Sequence, residues 1–180
     1  MMTDDLETLQ ELPCLPERER DSHKGDFGHV LAVGCSPGMT GAGCMVVRAA
    51  QRAGAGLATL ALPQNLNAAA EIKLTSAMSL PLPATSAGTL GGDAGDRLMT
   101  LYDNYDLAAV GPGLGRSEGT FDMLRRIVRR MDLPLVLDAD GLNAVAGHLD
   151  AVEERVSTTV LTPHPGEMKR LCGASSARKV

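Results

Sequence analysis

From Gly28 onward the chain alternates short apolar runs with longer stretches whose apolar residues recur at helical spacing. His29–Val33 (HVLAV) predicts a buried strand. A Gly-rich turn over 34–41 follows, and 42–53 predicts a helix with Ala, Met and Val on one face. Gly54 and Gly56 end that helix. The next apolar run, 57–62 (LATLAL), predicts a strand that Pro63 stops. A short helix is expected over 65–74. The stretch 80–94, rich in Pro, Gly, Ser and Thr, is expected as a surface loop. A helix over 97–103 precedes a strand at Leu107–Val110, which enters the glycines of 111–115. Further on, the pattern predicts a helix over 120–130, a strand at Leu135–Leu137 entering 138–143, and a strand over 158–161. That strand runs into 162–167, and a helix starts at Met168. Strands alternating with helices of this length predict βαβ units, hence an α/β fold with a mostly parallel sheet covered on both faces. Each Gly-rich or polar motif follows a strand directly. In such sheets ligands bind beyond the carboxyl ends of the strands, so the motifs are expected on one edge.

Residues 1–20 read differently. They form a polar leader with Pro13 and Pro16, expected as a loosely held N-terminal arm on a domain over 21–180. The leader is acidic and lacks a basic-then-apolar signal pattern, and no apolar run approaches the ~20 residues of a membrane helix. Apolar residues make up 44% and charged residues 22%, a balance that excludes wholesale disorder. A net charge of −5 disfavours broad nucleic-acid binding but not a small anion held by local backbone groups. The run Arg125, Arg126, Arg129 and Arg130 is accordingly read as a solvated helix face. The four cysteines, at 14, 35, 44 and 172, show neither CxxC pairs nor metal-ligand spacing, which suits reduced thiols in the cytoplasm. Aromatics are only 2% and Trp is absent, so the core must be built from Leu, Val, Ala and Met.

Four motifs carry candidate chemistry. The first joins His23-Lys24-Gly25-Asp26-Phe27-Gly28, a strand, and the glycine turn leading to Met39-Thr40-Gly41-Ala42-Gly43. This order directs free backbone N–H groups and a helix dipole at a ligand, or else packs helix on sheet through small residues. It is neither a P-loop nor GxGxxG. The second, Gly111-Pro112-Gly113-Leu114-Gly115, lets backbone lie flush against a planar or phosphorylated ligand, or is a plain βα turn. The third, Asp138-Ala139-Asp140-Gly141-Leu142-Asn143, places two carboxylates at i and i+2, suited to a divalent cation or to a helix cap. The fourth, Thr162-Pro163-His164-Pro165-Gly166-Glu167, frames a single His between two prolines with a carboxylate three residues on. It is read as a ligand grip in preference to an exposed or structural histidine.

Taken in order, KGDFGHVLAVG, MTGAG, RAGAGLATLA, AVGPGLG, PLVLDADGLN and LTPHPGEMKRL resemble the ADP-dependent NAD(P)H-hydrate dehydratases, across roughly residues 22–173. The resemblance implies a three-layer ribokinase-like domain and a nucleotide-repair lyase. ADP would phosphorylate the ring hydroxyl of the S form of hydrated NADH or NADPH (NADHX, NADPHX). Loss of phosphate would then restore the cofactor, with AMP released and Mg2+ assisting. Ala42, Gly113 or Gly115, and His164 fall on the family's hydrated-nucleotide contacts. Glu167 stands where related vitamin and sugar kinases carry the Glu of Thr-Pro-Asn-x-x-Glu, and His164 replaces their Asn. Lys24, Asp138, Asp140 and Asn143 are second-rank candidates for the phosphate and metal region.

One feature departs from the family. Its Gly-rich motif ending in Gly-Asp, source of the ADP anion hole and the catalytic Asp, has no counterpart within these 180 residues. Gly91-Gly92-Asp93 precedes the GPGLG strand and is out of order. The resemblance therefore puts the catalytic Asp beyond Val180, so that none of the residues present is expected to be catalytic. It implies a sheet incomplete on its C-terminal side, and a chain that is inactive alone. The alternatives carried forward are an ATP-dependent kinase of a small vitamin-like alcohol and a non-catalytic nucleotide-binding or assembly module. Expected partners are ADP, the hydrated nucleotides, an NAD(P)H-hydrate epimerase and other copies of the chain.

Overall fold

The computed structural model describes residues 17–173. Most of the expected arm, with Pro13 and Pro16, lies outside them. So does Val180, and the expectation of a catalytic Asp beyond it therefore falls outside the described residues as well. The strands are β1 (His29–Val33), β2 (Leu57–Pro63), β3 (Met78–Leu82), β4 (Leu107–Val110), β5 (Leu135–Leu137) and β6 (Thr159–Leu161). They form one sheet of order β3-β2-β1-β4-β5-β6 in which every pairing is parallel. The helices are α1 (Thr40–Ala53), α2 (Asn67–Lys73), α3 (Gly92–Met99), α4 (Glu118–Arg130), α5 (Asp140–Val145), α6 (Asp150–Glu153) and α7 (Pro165–Leu171).

Alternation along the strands sorts the side chains into two cores. Leu31, Val33, Ala108, Val110, Leu135 and Leu137 meet Leu98 of α3, Leu124 and Ile127 of α4, Val145 of α5 and Leu171 of α7. On the other face Ala32, Leu60 and Leu62 meet Cys44 and Val47 of α1 and Ala70 of α2. The sheet is thus the middle of three layers, as the alternation predicts. Leu, Val, Ala and Met fill it without a tryptophan.

Two expectations need correction. The stretch 80–94 is not a surface loop. Its first residues complete β3, Ala84 bridges Leu90, and Leu82 and Leu90 are buried. Pro81 disguised the strand, yet it is tolerated because β3 is an edge. The helix expected over 97–103 begins earlier, at Gly92, and ends at Met99 before a 3-10 turn at Tyr102–Asn104.

Three of the four arginines in the basic run of α4 are paired. Arg125 pairs with Glu118 and Asp122, Arg126 with Asp96, and Arg129 with Asp150. Arg155 is a staple of another kind. Its guanidinium donates to the carbonyls of Val128, Met131 and Leu133 and to Thr159 Oγ1, tying the end of α4 to β6. At the amino end of β1, His29 bonds Thr59 Oγ1 at 2.8 Å and leans on the Tyr105 ring, 4.4 Å between centroids. Burial lowers its pKa, against the opposing pull of Asp106.

Arg155→Ala strands three carbonyls and should lower stability by about 2 kcal/mol, read as a reduced urea midpoint. Lysine at this position should recover only part, having one nitrogen to donate; an unchanged midpoint would refute the staple. The depressed His29 pKa has a definite sign. The unfolded chain, titrating near 6.5, takes up the proton first. His29 therefore contributes fully above that pH, and its contribution is lost as pH falls towards the folded value. His29→Gln should flatten the decline in urea midpoint between about pH 7.5 and about pH 5. Parallel profiles for the two proteins would count against this assignment.

Candidate functional site

The turns after β1, β4, β5 and β6 meet on one edge of the sheet, as expected from their placement behind strands. The strand order reverses between β1 and β4, and such a switch point leaves a crevice between the loops on either side. Here those loops are 34–39 and 111–115. They are bonded together: Cys35 N–H donates to Pro112 O at 3.0 Å, and Ser36 Oγ donates to Gly113 O at 2.8 Å. Glycine makes the approach possible. A Cβ on Gly113, whose φ is +70°, would stand 3.0 Å from both Ala42 Cβ and Met39 O. Gly113 and Ala42 are thereby adjacent, on a loop and at the first turn of α1. Gly115 faces Ser36 across the same contact.

The third motif fixes this loop from the other side. Asp140 is buried. Its Oδ2 accepts Gly115 N–H at 3.0 Å, and its Oδ1 accepts Arg116 Nε at 3.1 Å and Asn143 Nδ2 at 3.2 Å. Asn143 Oδ1 in turn accepts Arg170 Nε of α7 at 2.7 Å. The sequence left Asp140 open between cap and metal or phosphate group. In the fold Ala139 holds the cap position of α5, and the Asp140 carboxylate reaches across to the glycine loop. Asp138 lies beside it in sequence but shares none of these bonds. A Cβ on Gly111 would stand 1.8 Å from Asp138 O, so that glycine is obligatory. Among the described residues no three His, Cys, Asp or Glu side chains gather to hold a metal ion.

The fourth motif forms the start of α7, which begins at Pro165 and not at Met168 as expected. His164 is its N-cap, with Pro165 at the first helical position where a missing N–H costs nothing. His164 Nδ1 accepts Gly166 N–H at 3.0 Å, which places the ring proton on Nε2, 3.2 Å from Glu167 Oε1. The other Glu167 oxygen accepts His164 N–H at 3.0 Å. Glu167 is buried and committed to this cap, while the His164 side chain is 62% exposed at the edge.

Lys24 is the exception. It precedes β1, and its backbone packs against Gly56, which precedes β2. It therefore sits at the amino ends of the strands, opposite Gly113 and His164. The sequence reasoning also passed over Ser36, Arg116 and Arg170, which hold the edge together. Arg116 directly follows GPGLG, and that position was the available signal. Cys35, Cys44 and Cys172 are free thiols, and burial pushes Cys35 up to about 11. A small cleft, about 120 Å3, opens between 83–85 and 91–94, at the β3–α3 connection. No described helix is long and apolar enough to cross a membrane.

Sheet order, layers and a glycine-built edge define a ribokinase-like α/β domain. A ribokinase-like superfamily protein of Enterococcus faecalis shares it with a TM-score of 0.67 at 23% identity, over 86% of this chain and 51% of that one. Sequence carries the assignment further: residues 30–179 match the NAD(P)H-hydrate dehydratase family model, and the chain belongs to that family. It is similar to bifunctional NAD(P)H-hydrate repair enzymes of Moorella thermoacetica and Salinibacter ruber. Each is 45% identical over 164 residues, covering 91% and 90% of this chain and 31% and 30% of those proteins. The ADP/ATP-dependent NAD(P)H-hydrate dehydratase of Bacillus subtilis, co-crystallised with ATP and Mg2+, superposes with a TM-score of 0.69 at 30% identity. That match covers 88% of this chain and 52% of the enzyme. The chain thus spans about a third of the length of these curated relatives and about half of the solved enzyme.

Asp140→Ala unpairs Gly115 N–H and releases Arg116. It should cost about 2 kcal/mol and speed amide exchange at Gly115 relative to the strands. Unaltered exchange at Gly115 would show that the loop is held without Asp140.

Proposed function

We propose that this edge binds the hydrated nucleotide in the ADP-dependent dehydration of the S form of hydrated NADH or NADPH. The observation that supports it is the junction of Gly113 with Ala42, 3.0 Å from a Gly113 Cβ position, on the edge that also exposes His164. Bare backbone at 111–115 admits a flat ring to close contact. The first turn of α1 offers N–H groups and a dipole to the nucleotide phosphates. His164, whose ring nitrogens are engaged by Gly166 N–H and Glu167, presents its exposed ring at the rim. Asp140, Asn143 and Glu167 position these groups and touch no ligand themselves.

In the proposed reaction the ring hydroxyl of the hydrated cofactor attacks the β-phosphorus of ADP. The bond to AMP breaks as the new O–P bond forms. The C–O bond then breaks, phosphate leaves, a ring proton is lost and the ring double bond returns. Phosphoryl transfer depends on positioning and charge stabilisation. Among the described residues the acids do not form a metal cage. The donor half of the site, with its catalytic Asp, is assigned to none of the described residues; the chain matches 52% of the solved enzyme. An NAD(P)H-hydrate epimerase is the expected functional partner, assembly with other copies is expected, and free thiols suit a cytoplasmic setting.

Calorimetric titration of the chain with hydrated NADH should show binding that Gly113→Ala or His164→Ala weakens about tenfold. A vitamin alcohol with ATP should not compete. Absence of any binding to the hydrated nucleotide would overturn the reading. Steady AMP formation from ADP and hydrated NADH by the chain alone would overturn the division into halves.

A further inference from the structure

Arginines that bond within this domain are mostly held by their tips. Arg18, Arg48, Arg125, Arg126 and Arg129 each donate through a terminal Nη nitrogen. Arg155 engages Nε and both Nη nitrogens. Among the described residues Arg116 and Arg170 are the exceptions. Each is held by Nε alone, Arg116 on Asp140 Oδ1 at 3.1 Å and Arg170 on Asn143 Oδ1 at 2.7 Å. Their Nη nitrogens donate to no described residue. The Arg116 side chain is 64% exposed, and Arg170 is exposed as well. Each guanidinium thus keeps free the two-pronged end that can meet two oxygens of one anion.

The two share one anchor. Asn143 Nδ2 donates to the same Asp140 oxygen that accepts Arg116, so one run of bonds joins Arg116, Asp140, Asn143 and Arg170. Asp140 also accepts Gly115 N–H, which fixes Arg116 at the end of the glycine loop. Arg170 stands in the last turn of α7, but its side chain runs back towards the first. A Cβ on Gly166 would lie 3.8 Å from Arg170 Nη1 and 2.9 Å from His164 Cε1. The free end of Arg170 therefore lies beside the exposed His164 ring, on the edge that carries Gly113 and Ala42. Charge along this run is unbalanced. Two guanidiniums meet one buried carboxylate, Asp140, and Asn143 is neutral. Glu167 on α7 is engaged by His164, and no described carboxylate pairs with Arg170.

We infer that Arg116 and Arg170 form a phosphate clamp, whose free Nη ends take the phosphate oxygens of a nucleotide seated against Gly113 and Ala42. The ligand class follows from the number of prongs. A carboxylate has two oxygens and fills one fork, whereas a phosphate or pyrophosphate has oxygens enough for two. The anchoring favours such a role. Bonds from Nε to Asp140 and Asn143 orient both guanidiniums before a ligand arrives, which lowers the ordering cost of binding. Asp140 and Asn143 act here through the arginines and touch no phosphate. The inference deepens the dehydratase reading, and it rests on that reading for the identity of the nucleotide.

Inorganic pyrophosphate is the probe for the clamp alone. Titration followed by its phosphorus resonance should show saturable binding, which Arg116→Gln or Arg170→Gln weakens about tenfold. Arg130→Gln removes the same charge from an exposed position at the far end of α4 and should leave binding unchanged. Amide exchange at Gly115 monitors the loop. Arg170→Lys should keep that exchange at its native rate and still bind pyrophosphate more weakly, since one ammonium tied to Asn143 offers no fork. Hydrated NADH and hydrated NADPH identify the phosphate. Equal losses for both in the two glutamine variants assign the clamp to the pyrophosphate, and a loss confined to hydrated NADPH assigns it to the 2′-phosphate. The clamp fails if pyrophosphate does not bind, if both glutamine variants bind it as the wild type does, or if Arg130→Gln weakens it equally. It fails too if binding weakens only where Gly115 exchange quickens, which would make the arginines structural. Pyrophosphate held through both arginines, with no binding of either hydrated nucleotide, would overturn the dehydratase reading and leave the clamp standing.

Discussion

Backbone contact between the turns after β1 and β4 is the constraint on which the rest of this domain turns. A Cβ on Gly34 would stand 2.6 Å from Pro112 O, so the two turns touch with no side chain between them. That contact closes the point where the sheet reverses its winding. It sets the height of the α1 first turn, brings Ala42 to Gly113, and leaves Asp140 at bonding distance from Gly115. Glycine supplies the room, but hydrogen bonds supply the register. Without Cys35 N–H on Pro112 O and Ser36 Oγ on Gly113 O, the same glycines would only widen the range of accessible loop shapes.

The charged groups around this contact serve geometry first. Asp140 satisfies one amide, one guanidinium and one side-chain amide, which is close to what two carboxylate oxygens can accept. Glu167 is similarly filled by the His164 main chain and ring. Acids so engaged are poor metal ligands, because coordination would leave buried donors unpaired. Their worth is that the glycine loop, α5 and α7 are tied together, linked from Gly115 through Asp140 and Asn143 to Arg170.

What could be read in the sequence follows from which interactions are local. Five strands were legible because each is a short apolar run bounded by glycine, proline or polar residues. β3 was not, since Pro81 imitates a loop and only its edge position, a property of the whole sheet, makes it tolerable. The gathering of the glycine turn, GPGLG, DADGLN and PHPGE was legible, because residues that follow parallel strands must share an edge. Lys24 misled for the converse reason: it belongs to the first motif in sequence, but that part of the motif precedes β1 and lies at the amino ends, away from the glycine turn. The bond from Asp140 to Gly115 spans 25 residues and leaves no trace in local pattern. Nor did Pro165 read as the start of a helix, because its cap is a histidine and not one of the usual short polar residues.

Strain is placed on the same edge. Among the described residues only Cys35 and Ala139 have positive φ without being glycine, at +76° and +51°. Each lies just past the end of a strand that feeds the candidate site. Such conformations cost on the order of 1–3 kcal/mol each and persist only where the surroundings enforce them. At Cys35 the enforcement is visible: its N–H is held by Pro112 O, and its buried thiol donates to Thr40 O at 3.3 Å. At Ala139 the flanking residues are pinned, Asp138 N–H on Val110 O and Gly141 N–H on Asp138 O. Elsewhere in the described chain positive φ is left to glycine, at the ends of α1 and α7 among other places. A fold that uses glycine freely in its other turns, yet tolerates strained side chains at these two, is fixing loop shape on its candidate edge at some expense in stability. That is the pattern of a preorganised site more than of a passive turn.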